Sequence, residues 1–204
     1  MRADSPALYA LAGLGLLETN QPRLRQMIEE LAEEAGAAGQ PTAPCEALLA
    51  ALPEESGVLE KEYVRLFLDP TGAPCPLWQS AYGQPRQLMG DAHFAALEWY
   101  RRYGLQTRHS NEPADHAAYL LMFYGRLLED GADADTLRQF SEEHLQWMAP
   151  LLTKIGEETR LEFYRELAGL LTSLLEGAGV GKGGEGGEPG AGGVQNAGDA
   201  ENTG

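Results

Sequence analysis

Apolar side chains recur every three or four residues along almost the whole chain, the spacing of helices that bury one face. Ser5 or Pro6 opens a first helix to about Glu18, with Leu8, Leu11, Leu14 and Leu17 along one side. Asn20-Gln21-Pro22 restarts the chain with proline in the first turn and predicts a second helix to about Ala35. "GAAGQPTAP" is a connector, and short helices follow over residues 46–52 and 58–68. Another runs from Asp91 through "AHFAALEWYRRY" and stops at Gly104, a natural C′ residue. The helix after "NEPADH" has Pro113 at N1 and closes at Gly131. Asp133 caps the next, which Pro150 should kink or break, and a last helix covers residues 157–176. No segment alternates as a strand does. The expected fold is all-α, with a single compact helical domain over residues 1–176.

Two stretches depart from this pattern. Residues 69–87, "DPTGAPCPLWQSAYGQPRQ", hold four prolines and two glycines and cannot form a regular helix. A connector of this length inside a compact domain is uncommon and is often functional. It also carries Trp78 and Tyr82, side chains costly to leave in water without a use. Residues 177–204 lack aromatic residues and nearly all large apolar ones, the composition of a disordered Gly-rich tail. "GAGVGKGG" within it lacks the Gly-Lys-Ser/Thr ending of a phosphate loop and follows no strand.

Fifteen Lys and Arg against 31 Asp and Glu leave a formal charge of −16, which disfavours nucleic acid and favours a cationic partner. The N-terminal apolar run is interrupted by glycine, and no window approaches the roughly 20 apolar residues of a membrane span. A cytoplasmic location is expected, with Cys45 and Cys75 as reduced thiols outside any CxxC pair.

Candidate chemistry concentrates in "NEPADHAAYLLMF". One reading is structural: Glu112 and Asp115 place negative charge at the positive end of a helix that Pro113 opens. A functional reading starts from Asp115 and His116, about 100° apart on a helix, so that one or both line a surface or groove. Metal binding is not expected, because His93, His109, His116 and His144 have no i, i+4 partner and no Cys/His ligand set accompanies them. Ser80 lacks a nucleophile elbow. A small hydrolase or nucleotide-binding enzyme using Asp115 and His116 is the rival class, without supporting motifs. Tyr63 and Phe67, spaced i, i+4, read by default as core, although their place just before the Pro-rich connector also suits peptide docking.

Taken in order, "EYVRLFLDP", "PLWQSAYGQPRQLMGD", "NEPADHAAYLLMF", "FSEEHLQWMAPLL" and "FYRELAGLLTSLL" resemble the TorD/DmsD/NarJ family of redox-enzyme maturation chaperones. The likeness covers residues 56–175, with no counterpart for the tail. It implies a non-enzymatic, cytoplasmic helical chaperone without cofactor or metal. Such a chaperone binds the twin-arginine signal peptide or apoprotein of a molybdenum-cofactor oxidoreductase and holds it for cofactor insertion before export. Glu112, Pro113, Asp115 and His116 match the family's E-P-x-D-H signature, associated with signal-peptide recognition. Tyr63, Leu66 and Phe67 match positions of its recognition surface, and Trp78, Ser80 and Tyr82 match its connector motif. Leu77, Ala81 and Asp69 are mild departures, whereas Ala114 removes an acidic residue from the signature and bears on client choice.

The residues suit such a client physically. Asp115 and Glu112 would bond guanidinium groups, Tyr63, Leu66, Phe67 and Trp78 would line an apolar groove, and His116 would orient a carboxylate or confer pH sensitivity. The family also admits a NarJ-like assembly chaperone for a non-exported nitrate-reductase-type enzyme. Both a monomer and a homodimer swapped through the 69–87 connector are compatible with the sequence.

Overall fold

Short prolyl and polar signals start most of the helices. The computed structural model describes residues 5–83, 88–105 and 113–180, and among them it contains helices and one isolated bridge but no strand. Helices α1 (Pro6–Gly15), α2 (Gln21–Ala37) and α3 (Ala43–Ala51) each carry proline in the first turn, where its missing N–H costs nothing. Asn20 caps α2 by accepting a 3.0 Å hydrogen bond from the Arg23 amide. Helix α4 (Val58–Tyr63) runs on into a π-helical turn, Val64–Leu68, and a 3-10 turn, Gln79–Ala81, lies in the connector. Helices α5 (Asp91–Arg102) and α6 (Ala117–Glu129) are each followed by a left-handed glycine, Gly104 and Gly131, both at φ 70°. Helices α7 (Ala134–His144), α8 (Met148–Glu158) and α9 (Glu162–Gly177) complete the fold.

The core is organised around α1, seven of whose ten residues are buried. It crosses α6 closely because glycines stand where side chains would collide. A Cβ on Gly125 would come within 3.0 Å of Tyr9 Cβ and 3.1 Å of the Pro6 carbonyl oxygen. A Cβ on Gly13 would meet Met122 Cγ at 2.8 Å. On its other side, α1 is tied to α9 by the buried Tyr9 hydroxyl, which donates to the Leu174 carbonyl at 3.0 Å. Cys45 and Cys75 are both free and buried.

The junctions on either side of α8 differ from the sequence pattern. The chain between Asp133 and Gly156 breaks at residues 145–147, and Pro150 is the third residue of the new helix α8. Proline is tolerated in that first turn. The last helix starts at Glu162, not near 157, although "EETRLEF" contains no breaker. The break comes from tertiary capture. The buried carboxylate of Glu62 accepts the Arg160 amide at 2.6 Å and lies 3.4 Å from the Thr159 hydroxyl. It also takes a two-point bond from Arg65, at 2.8 Å on each oxygen, while Arg65 donates to the Glu158 carbonyl at 2.6 Å. The Arg65 guanidinium outweighs burial and holds the Glu62 carboxyl below its ordinary range.

The packed chain continues beyond Gly177, where the tail is expected from composition to begin. Val180 is buried, and the Ala178 carbonyl accepts from the Ser141 hydroxyl at 3.0 Å. Residues 181–204 lie outside the described residues.

Glu62→Ala should destabilise the fold by about 1–3 kcal/mol in urea denaturation, since it leaves the Arg160 amide without its acceptor and frees the α8–α9 turn. Truncation after Glu176 should cost about 1–2 kcal/mol, because it removes Val180 and the Ser141 acceptor, whereas truncation after Val180 should leave the melting temperature unchanged.

Candidate functional site

The connector and the residues before α6 meet as two short extended segments. The Cys75 amide donates to the Leu66 carbonyl at 2.9 Å, so the connector returns to the π turn it left. Leu77 is then fully buried, and its carbonyl accepts the Ala117 amide at 2.8 Å. Trp78 and His116 form an antiparallel bridge, and the Gln79 amide donates to the Asp115 carbonyl at 3.1 Å. On the other side, α5 grips the same segment. The Ala114 amide donates to His93 Nδ1 at 2.9 Å, and the Tyr100 hydroxyl donates to the Ala114 carbonyl at 2.7 Å.

This clamp corrects the helical reading of the signature. His116 is the N-cap of α6, with Nδ1 accepting the Ala118 amide at 3.2 Å, and Pro113 lies three residues before it rather than at N1. Residues 113–116 precede the helix, so a 100° helical rotation does not separate Asp115 from His116. Both are buried, at 0% and 3% exposure, where one or both were expected at a surface. Asp115 does not cap α6: its Oδ2 accepts the Ser80 amide at 2.7 Å. Its Oδ1 and the Ser80 hydroxyl have no hydrogen-bond partner among the described residues. Glu112 lies outside the described residues, as do residues 84–87 of the connector.

A second polar chain extends from the same turn. Gln79 Nε2 donates to the Glu143 carbonyl at 2.8 Å, leaving Gln79 Oε1 to accept from His144 Nδ1 at 2.9 Å. That orientation puts the His144 proton on Nδ1. Glu143 accepts from Trp99 Nε1 at 2.9 Å, and Trp147 Nε1 donates to the His144 carbonyl at 2.8 Å. Burial pushes the His116 imidazole down to about 4 against the opposing pull of Asp115. Burial likewise pushes His144 down to about 4, opposed by Glu143 and Asp115. Both rings are neutral near pH 7.

The remaining sequence candidates divide into two groups. Trp78, Ser80, Pro113, Asp115 and His116 come together, and the Trp78 ring meets the His116 ring edge-on at 5.7 Å. Tyr82 packs against Trp147 at 5.0 Å, at the edge of this cluster. Tyr63, Leu66 and Phe67 belong to a separate aromatic group. Leu66 and Phe67 are fully buried, the Tyr63 hydroxyl donates to the Leu16 carbonyl at 3.2 Å, and Phe67 packs edge-on against Tyr164. Their turn instead exposes Val64 and Leu68. Gln79, His93, Tyr100, Glu143 and His144 were not singled out as a site from sequence, because each acts through a partner distant in the chain. On α5, Phe94 follows the His93 that holds the Ala114 amide and is 60% exposed, and Leu88 and Met89, just ahead of α5, are exposed as well.

Among the described residues, no group of three or more His, Cys, Asp and Glu side chains is placed to hold a metal. Asp115 spends one oxygen on a backbone amide, and the Ser80 hydroxyl bonds to neither histidine, so no Ser-His-Asp relay forms. No described helix is long and apolar enough to cross a membrane.

Residues 20–153, from just before α2 into α8, match the family model described as nitrate reductase delta subunit. The chain belongs to that family, the TorD/DmsD/NarJ group of maturation chaperones. Within this family it is 30% identical over 130 residues to the Tat proofreading chaperone DmsD of Salmonella typhi, a match covering 63% of each chain. It is 29% identical over 160 residues to the chaperone protein TorD of Shewanella sp. (strain MR-4), covering 72% of this chain and 77% of that one. The match thus spans under two thirds of the length of that DmsD relative. The delta-subunit fold is shared with an Archaeoglobus fulgidus protein proposed as a redox enzyme maturation protein. That likeness has a TM-score of 0.59 and 21% identity, over 86% of this chain and 94% of the other.

Because both buried imidazoles are neutral when folded but titrate near 6.5 when exposed, unfolding takes up protons between about pH 6.5 and 4. Stability should therefore fall on acidification through that window, by on the order of 2–3 kcal/mol for each ring. Urea midpoints at pH 7, 6 and 5 check this, and His144→Gln should make the decline shallower.

Proposed function

We propose that this chain is a redox-enzyme maturation chaperone. It binds the twin-arginine signal peptide and/or the apoprotein of a molybdenum-cofactor oxidoreductase and holds it for cofactor insertion before export. It acts in the cytoplasm, by stoichiometric binding rather than turnover.

The observation that carries this reading is the Asp115 carboxylate. The Ser80 amide supports it on one oxygen and leaves the other, fully buried, without a partner among the described residues. An unsatisfied buried acceptor costs stability, and a guanidinium donor reaching it on local opening of the turn would recover that cost. The exposed Phe94, Leu88 and Met89, on and just ahead of α5, offer apolar surface for the residues that follow a pair of arginines. Trp78, Ser80, Tyr82, Pro113, Asp115 and His116 form or support this contact, and Glu112 adds negative charge next to it in sequence. Tyr63, Leu66 and Phe67 contribute from beneath by fixing the π turn on which the connector closes. The names of the DmsD and TorD relatives support the same reading.

A second reading, an assembly chaperone for a nitrate-reductase-type client without a twin-arginine signal, is favoured by the description of the family model. The two differ in whether an isolated signal peptide is enough for binding.

Calorimetry with twin-arginine signal peptides and with client apoproteins tests both. Asp115→Asn preserves the shape of the turn and an acceptor for the Ser80 amide. It should weaken peptide binding at least tenfold while shifting the melting temperature by only a few degrees. Binding of apoprotein alone would select the second reading, and binding of neither would refute both.

A further inference from the structure

An open cleft of about 550 Å³ lies between α1, α2 and α6, away from the Asp115 turn. Its floor is Ala7 and Ala10 of α1, its walls include Leu31 of α2 and Met122 of α6, and Glu34 and Glu129 stand at its rims. The cleft stays open for a local reason. Gly125 lets α1 sink against α6, and the residues α1 then presents outward are alanines. Leucine at either position would fill the space that the small side chains leave.

Charge sharpens the picture. Helices α2 and α6 both end beside this cleft, at Ala37 and Glu129, so two sets of terminal carbonyls add their partial negative charge. Basic residues normally offset such ends, yet α2 has none in its last turn and instead carries Glu33 and Glu34 nearby. The one cation lining the cleft among the described residues, Arg126, is engaged, at 2.8 Å from Asp130 and 3.6 Å from Glu129. An apolar floor under an acidic rim whose α2 side has no basic residue is complementary to an apolar segment that carries a lysine or arginine.

We infer that this cleft is a second client-docking site, taking an apolar stretch of the client chain that ends in a cation, with the cation held between Glu34 and Glu129. The inference rests on the client-binding reading above but concerns a different surface. The two sites are joined along α6: Tyr119, Met122 and Arg126 follow His116 at helical spacing on one stripe, and the His116 and Tyr119 rings lie 5.4 Å apart. From His116 to Glu129 the helix rises about 20 Å, a span that some six extended residues cover. One client segment can therefore engage Asp115 and the cleft together.

The test titrates the full chain with two labelled synthetic peptides. The long one carries Arg-Arg, an apolar stretch of leucine and alanine, and a terminal lysine, and the short one ends before the apolar stretch. Wild-type protein should bind the long peptide at least tenfold more tightly. Ala10→Leu, which fills the floor, and Glu34→Lys, which reverses an exposed rim charge, should each abolish that advantage and leave short-peptide affinity unchanged. Glu34→Lys lies on the surface, so it keeps the test decisive if Ala10→Leu misfolds. An undiminished advantage in Glu34→Lys overturns the inference, as does an equal loss for both peptides. If wild-type protein binds neither peptide, the twin-arginine reading fails and the cleft proposal with it, whatever the apoprotein does.

Discussion

The hydrogen bond from the Ser80 amide to the Asp115 carboxylate joins parts of the chain 35 residues apart, and the candidate site depends on it. Without it, the connector would be held on the start of α6 by the Leu77, Trp78 and Gln79 backbone contacts and the edge-on Trp78–His116 ring contact. A buried carboxylate bonded to a backbone amide is a strong local anchor. It also demands that everything around it be arranged, because burying a charge is costly wherever it lacks partners. Here the arrangement is asymmetric, with one oxygen satisfied and the other not, and with neutral imidazoles on either side. The turn is at once a structural clamp and a place where an incoming donor gains more than it would at an open surface.

The helices were largely legible in the sequence because their signals are local. Prolines 6 and 22, the caps Asn20 and Asp133, and glycines 104 and 131 act within a few residues of where they stand. The break before α9 was not legible, since its cause is Glu62, 98 residues from the Arg160 amide it accepts. The default reading of Phe67 as core agrees with its burial, because the periodicity that suggested it reports packing directly, whereas its partner in that reading, Tyr63, is only half-buried.

The signature around Asp115 was legible as a cluster of chemistry but not as a geometry. Helical periodicity extends naturally back from "HAAYLLMF" to Pro113, and nothing nearby announces that Leu77 supplies the acceptor for the first helical amide. Gln79 and His144 stayed hidden for the same reason. A glutamine in a connector and a histidine near a helix end carry no distinguishing pattern until the fold pairs them.

The Glu62 latch carries a consequence for how the molecule opens. Through one carboxylate it couples the π turn, which also seats the connector at Cys75, to the junction of α8 and α9. Opening the α8–α9 junction would strip the Glu62 carboxylate of the Arg160 amide and the Arg65 guanidinium of the Glu158 carbonyl in one step, so the two elements part together or not at all. The base of the connector and the C-terminal helices therefore belong to one cooperative unit of local unfolding, and hydrogen-exchange protection rises and falls in them together. The Asp115 end of the same connector has its own anchor, so it can loosen to admit a ligand while the base remains shut.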